Sequence, residues 1–293
     1  MLDLCGHRGP IVGLAYSPDG RLLASASTDG SARLWETVSG RFVAELRSPA
    51  LRAQCVAFSA DGCRVAIGYQ QPVGIAQVWD LADLDRPRQQ WIAHRTAVRG
   101  IAFHVAGFDL VTIGNDSTPR LWKADDVYEL DRPHSMSTSL TGLALGPDGS
   151  TLAAVSAKPG ALFVWDLSRR RLGWRRFLPG QSGYSLAGSP DGRWLVCGME
   201  DRVAVFPAGD PRGPALDWPA HDGAVLGVAF RPDGGAFMTA GTDGLLKSWS
   251  LDGRLMTSVD WQIGELGCIA TSPDGCTAAT GGAERIIIWD LDR

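Results

Sequence analysis

Residues 6–35 read GHRGPIVGLAYSPDGRLLASASTDGSARLW. Three short runs of apolar and small residues are separated by SPDG at 17–20 and by STDG at 27–30. An Asp-Gly pair supplies the backbone freedom that a tight hairpin turn requires. The stretch therefore predicts three antiparallel strands joined by hairpins, the third of which ends on Trp35.

This unit recurs along the chain, which has 293 residues. Turn signals of the same kind precede most copies, although the third copy has HVAG at 104–107 in their place. A fourth short strand follows the third one in each copy, and no helical period is evident. Four short strands repeated seven times are the pattern of a seven-bladed β-propeller. The third strands end on a marker aromatic residue, namely Trp35, Trp79, Trp122, Trp165, Phe206, Trp249 and Trp289.

The first strand of every copy carries small side chains at two positions that share one face of the strand. Seven strands that converge on an axis leave little room for bulk on that face, so these are predicted to be the innermost strands. One position is always alanine: Ala15, Ala57, Ala102, Ala144, Ala187, Ala229 and Ala270. Two residues earlier lie Gly13, Cys55, Gly100, Gly142, Ser185, Gly227 and Cys268.

The period, the Gly-His start and the Trp-Asp pairs at 79–80, 165–166 and 289–290 resemble the WD40-repeat family. Local departures are Phe206 in place of Trp, and Glu36, Lys123 and Ser250 in place of Asp. The resemblance implies an all-β, seven-bladed propeller with four antiparallel strands per blade, a single domain over 1–293. Residues 1–5 are expected to form the outer strand of the last blade and close the ring. The blades are expected at about 7–47, 50–93, 94–132, 137–178, 183–220, 221–261 and 264–291.

One constellation invites a catalytic interpretation, because a histidine, a hydroxyl and a carboxylate can form a hydrolytic triad. It occurs three times with identical spacing, whereas an enzyme needs one constellation in a distinct cleft. The resemblance implies instead a buried hydrogen-bond brace from His to Asp, to Ser or Thr, and to the Trp indole. We predict braces at His7, Ser25, Asp29 and Trp35; at His94, Thr112, Asp116 and Trp122; and at His221, Thr239, Asp243 and Trp249.

A third position of the inner strands varies while its neighbours stay uniform. It holds Val12, Gln54, Arg99, Thr141, Tyr184, Leu226 and Gly267. Variation on a uniform scaffold is where binding specificity can be encoded. By resemblance this position lies at the mouth of the central channel, on the face that carries the histidine loops. The candidate partner-binding residues are Gln54, Arg99 and Tyr184, followed by Arg8, Arg95, Asn115, Glu265 and Tyr69, the last in YQQPV at 69–73.

The composition narrows the function further. The net charge is −4, which argues against a nucleic-acid partner, and no apolar run is long enough to span a membrane. The first ten residues lack the layout of a signal peptide, so a cytoplasmic location is expected. The six cysteines have no metal-ligand spacing and are expected to be unpaired thiols. We expect a monomeric, non-enzymatic scaffold without cofactor or metal that binds a protein or peptide partner. The alternative is a small-molecule-binding or catalytic propeller that acts at the central channel.

Overall fold

The computed structural model describes residues 1–48, 51–70, 72–104, 109–123, 126–131, 138–178, 180–210, 213 and 215–291. Within these ranges the chain forms 28 β-strands and no helix. The first half contains β1 (Leu2–Cys5), β2 (Ile11–Tyr16), β3 (Leu22–Ser27), β4 (Ser31–Glu36), β5 (Phe42–Arg47), β6 (Arg52–Phe58), β7 (Arg64–Gln70), β8 (Gly74–Asp80), β9 (Gln89–His94), β10 (Val98–Phe103), β11 (Leu110–Gly114), β12 (Arg120–Lys123) and β13 (Asp126–Glu129). The second half contains β14 (Leu140–Leu145), β15 (Thr151–Ser156), β16 (Ala161–Asp166), β17 (Arg171–Phe177), β18 (Ser185–Gly188), β19 (Trp194–Gly198), β20 (Arg202–Pro207), β21 (Leu216–Pro219), β22 (Val225–Phe230), β23 (Ala236–Gly241), β24 (Leu245–Ser250), β25 (Leu255–Asp260), β26 (Cys268–Thr271), β27 (Thr277–Gly281) and β28 (Arg285–Asp290).

The strands form seven antiparallel sheets of four, which are the blades of a propeller. Blades 1 to 6 take their strands consecutively, beginning with β2, β6, β10, β14, β18 and β22, and blade 7 has the order β26-β27-β28-β1. The innermost strands contact one another around the ring, and β26 contacts β2 to close it. Strand β1 pairs antiparallel with β28, from Leu2 opposite Ile288 to Cys5 opposite Arg285. The predicted fold and its closure by the N-terminal strand are confirmed. The expected blade limits at residues 50, 132 and 137 lie outside the described residues.

The small faces of the innermost strands lie where neighbouring blades approach most closely. A Cβ atom on Gly142 would come within 2.8 Å of the backbone nitrogen of Leu186 in the next blade, which only glycine avoids. Ring members with larger side chains use them to join the blades. Each of three donates a hydrogen bond to a backbone carbonyl of the next blade: Cys55 to Val98 (3.8 Å), Ser185 to Val225 (2.9 Å) and Cys268 to Ile11 (3.5 Å).

The outer strands supply the contacts between blades at the rim. A residue on or just after the outermost strand of each blade covers the marker aromatic residue of the next blade. At six interfaces the cover is apolar: Leu4 on Trp35, Leu46 on Trp79, Trp91 on Trp122, Leu130 on Trp165, Trp218 on Trp249 and Trp261 on Trp289. At the interface between blades 4 and 5 the cover is Arg176, which lies on Phe206. The rim therefore has one interface that differs chemically from the others.

Candidate functional site

The brace in blade 3 is a continuous hydrogen-bond chain across three strands and a loop. His94 Nδ1 lies 2.8 Å from Asp116 Oδ1, and His94 Nε2 lies 3.0 Å from Thr112 Oγ1. The Trp122 indole donates to the same Thr112 oxygen at 3.0 Å. The imidazole has no exposed surface, and the exposed fraction of the Asp116 side chain is 5%. The chain ties the end of β9 to β11, to β12 and to the loop between these two strands.

Equivalent chains occur in blades 1 and 6. His7 lies 3.0 Å from Asp29 and 2.8 Å from Ser25, to which Trp35 donates at 2.9 Å. The distances for His221 are 2.9 Å to Asp243 and 2.7 Å to Thr239, and Trp249 donates to Thr239 at 2.9 Å. The three histidines, Ser25 and Thr239 are all buried. Matching geometry in three separate blades is what a repeated structural element requires.

The donors and acceptors fix the proton positions in each brace. An ionised carboxylate can only accept, so His Nδ1 carries the proton of the neutral imidazole and donates to the Asp. His Nε2 then accepts from the Ser or Thr hydroxyl, which itself accepts from the Trp indole N–H. Burial lowers the pKa of His7, His94 and His221, which agrees with neutral imidazoles.

The carboxylates of the braces are ionised. Burial alone raises the pKa of Asp116, but the hydrogen bonds from His94 and Arg120 and the Arg120 charge outweigh that effect and lower the pKa well below its usual range. The pKa of Asp29 is lowered in the same way, with backbone and side-chain donors at Arg8 and Ser31 outweighing burial. The pKa of Asp243 is also lowered. Each brace therefore holds a neutral imidazole against an anionic carboxylate.

A basic residue completes every brace, and the sequence analysis missed it. It stands two residues before the marker tryptophan in the three braced blades only, as Arg33, Arg120 and Lys247. Arg120 donates to Asp116 at 2.8 Å and to the carbonyl of Ala93 at 2.9 Å, and Lys247 donates to the carbonyl of Ala220 at 2.6 Å. Both carbonyls belong to the residue before the histidine. In blade 1 the residue before the histidine is Gly6, at which a Cβ would overlap the Arg33 guanidinium. The constant offset was the signal that could have revealed this member.

The prediction for Tyr69 is wrong, because its side chain is fully buried and cannot contact a partner. Tyr69 pairs with Ala53 at the register position where blades 3 and 6 have Gly114 and Gly241. A Cβ on either glycine would come within 2.6 Å of the brace imidazole. In blade 2 the residue at the histidine's offset, 28 before the marker tryptophan, is Leu51, which is buried in one cluster with the Tyr69 ring. The neighbouring Gln71 lies outside the described residues.

The variable position of the inner strands is the extra residue of a β-bulge in five of the blades. The pairing register shifts across Val12, Gln54, Arg99, Thr141 and Leu226. A bulge takes one residue out of the ladder and redirects its side chain. These side chains are therefore released from the packing between blades. Six of the seven variable residues line the wide end of the axial cavity, which has a volume of about 390 Å³: Val12, Arg99, Thr141, Tyr184, Leu226 and Gly267.

The structure brings three of the predicted partner-binding residues together. Arg99 donates from Nε to Asn115 Oδ1 at 2.9 Å and from Nη1 to Gln54 Oε1 at 3.0 Å. Both acceptors are neutral, and no carboxylate of the described residues forms an ion pair with Arg99. The guanidinium is thus held in place across blades 2 and 3 while its charge stays uncompensated.

The remaining predicted residues lie on the same face but not in this cluster. Tyr184 is half-buried and lines the axial cavity together with Arg99. Arg8, Arg95 and Glu265 are exposed in the loops that lead into the inner strands of blades 1, 3 and 7. Arg8 takes part in the first brace only through its backbone nitrogen, which donates to Asp29 at 2.9 Å.

No group of three or more His, Cys, Asp or Glu side chains among the described residues is arranged to hold a metal ion. All six cysteines are free thiols, and Cys55 and Cys268 lie at the channel. Burial raises the pKa of each of these two thiols to about 12. None of the described residues forms a helix that is long and apolar enough to cross a membrane.

The fold and the repeated braces define a seven-bladed β-propeller built from tryptophan-centred repeats. The family model "WD domain, G-beta repeat" matches residues 1–36, 175–206 and 214–250. Three segments of this seven-bladed propeller are therefore similar to the WD40 repeat.

Several known proteins are similar in sequence to this chain. The serine-threonine kinase receptor-associated protein of Gallus gallus is 22% identical over 94% of this chain and 74% of its own length. A WD repeat-containing protein of Synechocystis is 30% identical over 50% of this chain and 42% of its own length. Human pre-mRNA-processing factor 17 is 25% identical over 83% of this chain and 43% of its own length. The chain thus spans less than half of the last two relatives.

Proposed function

We propose that this propeller is a non-enzymatic scaffold that binds a peptide or protein partner on the loop face, at the mouth of the central channel. The observation that carries the proposal is the ring of variable positions on the inner strands, five of which are β-bulges. Their side chains project from a uniform and rigid framework. Arg99 is oriented before any partner arrives, because Gln54 and Asn115 already hold it. A preorganised group loses little conformational freedom on binding.

The chemistry of the mouth favours a partner that offers an acidic group beside an apolar one. Arg99 supplies a positive charge held by neutral acceptors, whereas Val12, Leu226 and the Tyr184 ring supply apolar contact area around the same opening. The names of two relatives, a receptor-associated protein and a pre-mRNA-processing factor, are consistent with work in assemblies of proteins. Binding through a rigid loop face requires no catalytic group.

Chemistry inside the channel has less support. Among the described residues that line the axial cavity there is no carboxylate and no imidazole. The two thiols there are protonated at neutral pH, because burial raises the pKa of Cys55 and of Cys268 to about 12. A protonated thiol is a poor nucleophile and a poor metal ligand.

The test is capture of partners from a native lysate by the immobilised protein. The double variant Arg99→Ala with Tyr184→Ala should lose at least tenfold of the recovered partner, because both substitutions remove groups at the mouth. The matched control is Arg21→Ala with Val38→Ala, two exposed residues in turns at the opposite end of the strands. Equal recovery by the mouth variant and the wild type would contradict the proposal.

A further inference from the structure

The interface between blades 4 and 5 is incompletely packed at the rim. Its marker residue is Phe206 where the other blades have tryptophan, and its cover is the charged Arg176. The Arg176 guanidinium carbon lies 5.1 Å from the centre of the Phe206 ring, and Nη1 donates to the carbonyl of Gly213 at 2.7 Å. A smaller aromatic ring and a polar cover leave space that apolar covers fill elsewhere.

That space is an open cavity of about 250 Å³ between the outer parts of the two blades. Phe206, Met199 and Leu178 form an apolar wall, and all three are buried. Phe177, whose side chain is 51% exposed, lines the entrance. An apolar cavity of about 150 Å³ already accepts benzene. The cavity is therefore large enough for one aromatic side chain from outside.

One polar residue of the cavity lining, Gln181, has a buried atom that lacks a partner. Gln181 Oε1 is buried and accepts no hydrogen bond from any described residue. A buried acceptor without a donor costs about 1–3 kcal/mol, so native proteins rarely leave one. An incoming tryptophan or tyrosine could supply the missing donor from its indole N–H or its hydroxyl.

The rim beside the cavity is strongly basic although the whole chain carries a net charge of −4. Residues 169–177 read RRRLGWRRF, and the sequence has no acidic residue between Asp166 and Asp191. Arg171 and Arg175 are exposed on β17, the outermost strand of blade 4. In the cavity wall, Arg202 is paired with Asp217 at 2.8 Å. This concentration of charge favours an acidic partner.

We propose that the rim of blades 4 and 5 is a second binding surface, which takes an acidic polypeptide segment and buries one of its tryptophan or tyrosine side chains between the blades. The ring stacks in the cavity against Phe206, where Arg176 lies. Its donor reaches Gln181 Oε1, and the flanking carboxylates face Arg171 and Arg175. The surface lies on the circumference and does not depend on the channel mouth.

The probe for this proposal is the synthetic peptide Glu-Glu-Trp-Glu-Glu, blocked at both ends, titrated into the full chain by calorimetry. Replacing its tryptophan by alanine, or its acids by lysine, should weaken binding at least tenfold. The variant Arg171→Glu with Arg175→Glu should weaken binding at least tenfold. The control Arg86→Glu with Arg254→Glu changes the net charge equally, but at exposed residues of other blades, and should leave affinity within twofold.

Two further variants separate cavity binding from charge attraction. Ala215→Trp fills the cavity from a half-buried position and should abolish binding without lowering the melting temperature. Gln181→Met removes the unpartnered acceptor, so it should weaken tryptophan peptide binding severalfold while the protein becomes no less stable. A purely structural role for Gln181 would lower both together.

The proposal fails if no saturable binding appears up to about 1 mM peptide, or if the control pair weakens binding as much as the rim pair. It also fails if oligothymidylate binds the rim more tightly than the peptide, since the surface would then recognise nucleic acid. Arg99→Ala with Tyr184→Ala should leave peptide binding intact. If that variant alone removed it, the peptide would bind at the channel mouth, and the rim proposal would be wrong while the proposed function stood.

Discussion

Blades 2 and 3 are neighbours with the same strand order, yet they fix their loops by opposite means. Blade 3 uses a polar chain from Asp116 through His94 and Thr112 to the Trp122 indole. Blade 2 has the apolar Leu51 at the histidine's offset, beside a buried Tyr69 whose hydroxyl has no partner among the described residues. One blade thus has a polar network at the position of the imidazole, whereas the other has apolar packing there.

The difference shows what the repeat has to preserve. The requirement common to both blades is a filled volume between the loop and the marker tryptophan. A polar chain meets it only when every member is present, since a half-satisfied buried network is worse than an apolar one. In blade 2 apolar side chains fill this volume. The Trp79 indole donates instead to Gln77 Oε1 at 3.3 Å. Braced and unbraced blades should therefore differ in their sensitivity to single substitutions.

The largest expected effect comes from breaking a brace at its anion. Asp116→Ala leaves the Arg120 charge and the His94 N–H without their buried partner, which should lower the free energy of unfolding by about 3–5 kcal/mol. The control is Glu200→Ala in blade 5, six residues before Phe206 as Asp116 is six before Trp122. Glu200 is 36% exposed, pairs with Lys158 and accepts a hydrogen bond from Ser182 at 3.0 Å, so that loss should stay below about 2 kcal/mol.

Urea denaturation of both variants measures this difference. If the two substitutions cost the same, the brace contributes no more than a surface pair, and the contrast between the two kinds of blade has no energetic basis. Asp116→Ala should cost more stability than Glu200→Ala whether or not a binding partner is present.

The braces could be predicted from the sequence because their members recur at constant offsets in three copies. Their basic member recurs at an equally constant offset, but arginine and lysine are ordinary on protein surfaces, so Arg33 did not stand out. Tyr69 was misplaced because the longer hairpin after β7 looks like an exposed loop in the sequence. Only the register, in which Tyr69 pairs with Ala53, shows that its side chain points into the blade.

The sequence predicted part of the channel mouth but none of the rim cavity. Variation against a uniform ring identified Arg99 and Tyr184, but the hydrogen bonds that hold Arg99 join side chains 16 and 45 residues apart in sequence. The rim cavity was not predictable, because it depends on the contact of Phe206 with Arg176 of the preceding blade. A repeat pattern gives the position of each residue within a blade, whereas these contacts arise between blades.

A second test of the comparison is the pH dependence of stability. Burial lowers the pKa of His7, His94 and His221 in the folded state, whereas in the unfolded chain a histidine titrates near about 6.5. As the pH falls through that value, the unfolded chain takes up protons that the folded braces refuse. Stability should therefore be full above it and fall by up to about 1.4 kcal/mol per pH unit for each histidine.

The charged groups around His94 shift its pKa in the directions that their charges require. Asp116 and Glu129 raise the pKa of His94, while Arg120 lowers it together with burial, and burial prevails. Denaturation at pH 7.5, 6.5 and 5.5 at fixed ionic strength measures the slope, and His221→Gln should remove about a third of it. A flat profile over this range would show that the braces are not the neutral networks described above.

Below about pH 4 the carboxylates add a further loss, because their pKa values are lowered on folding and stability falls as they are protonated.

The smallest expected effect comes from a substitution in blade 2. Tyr69→Phe removes a buried hydroxyl that has no partner among the described residues, while the ring that fills the blade is kept. Because no hydrogen bond is lost and a desolvated polar group is removed, the free energy of unfolding should stay equal or rise by up to about 1 kcal/mol.

The matched substitution in blade 3 is Thr112→Val, which also removes one buried hydroxyl at nearly constant shape but leaves the Trp122 and His94 nitrogens unpaired. It should lower stability by about 1–3 kcal/mol, so the two substitutions should differ in sign. A loss in both blades would mean that the Tyr69 hydroxyl is bonded after all, and that blade 2 is braced by a polar contact of its own.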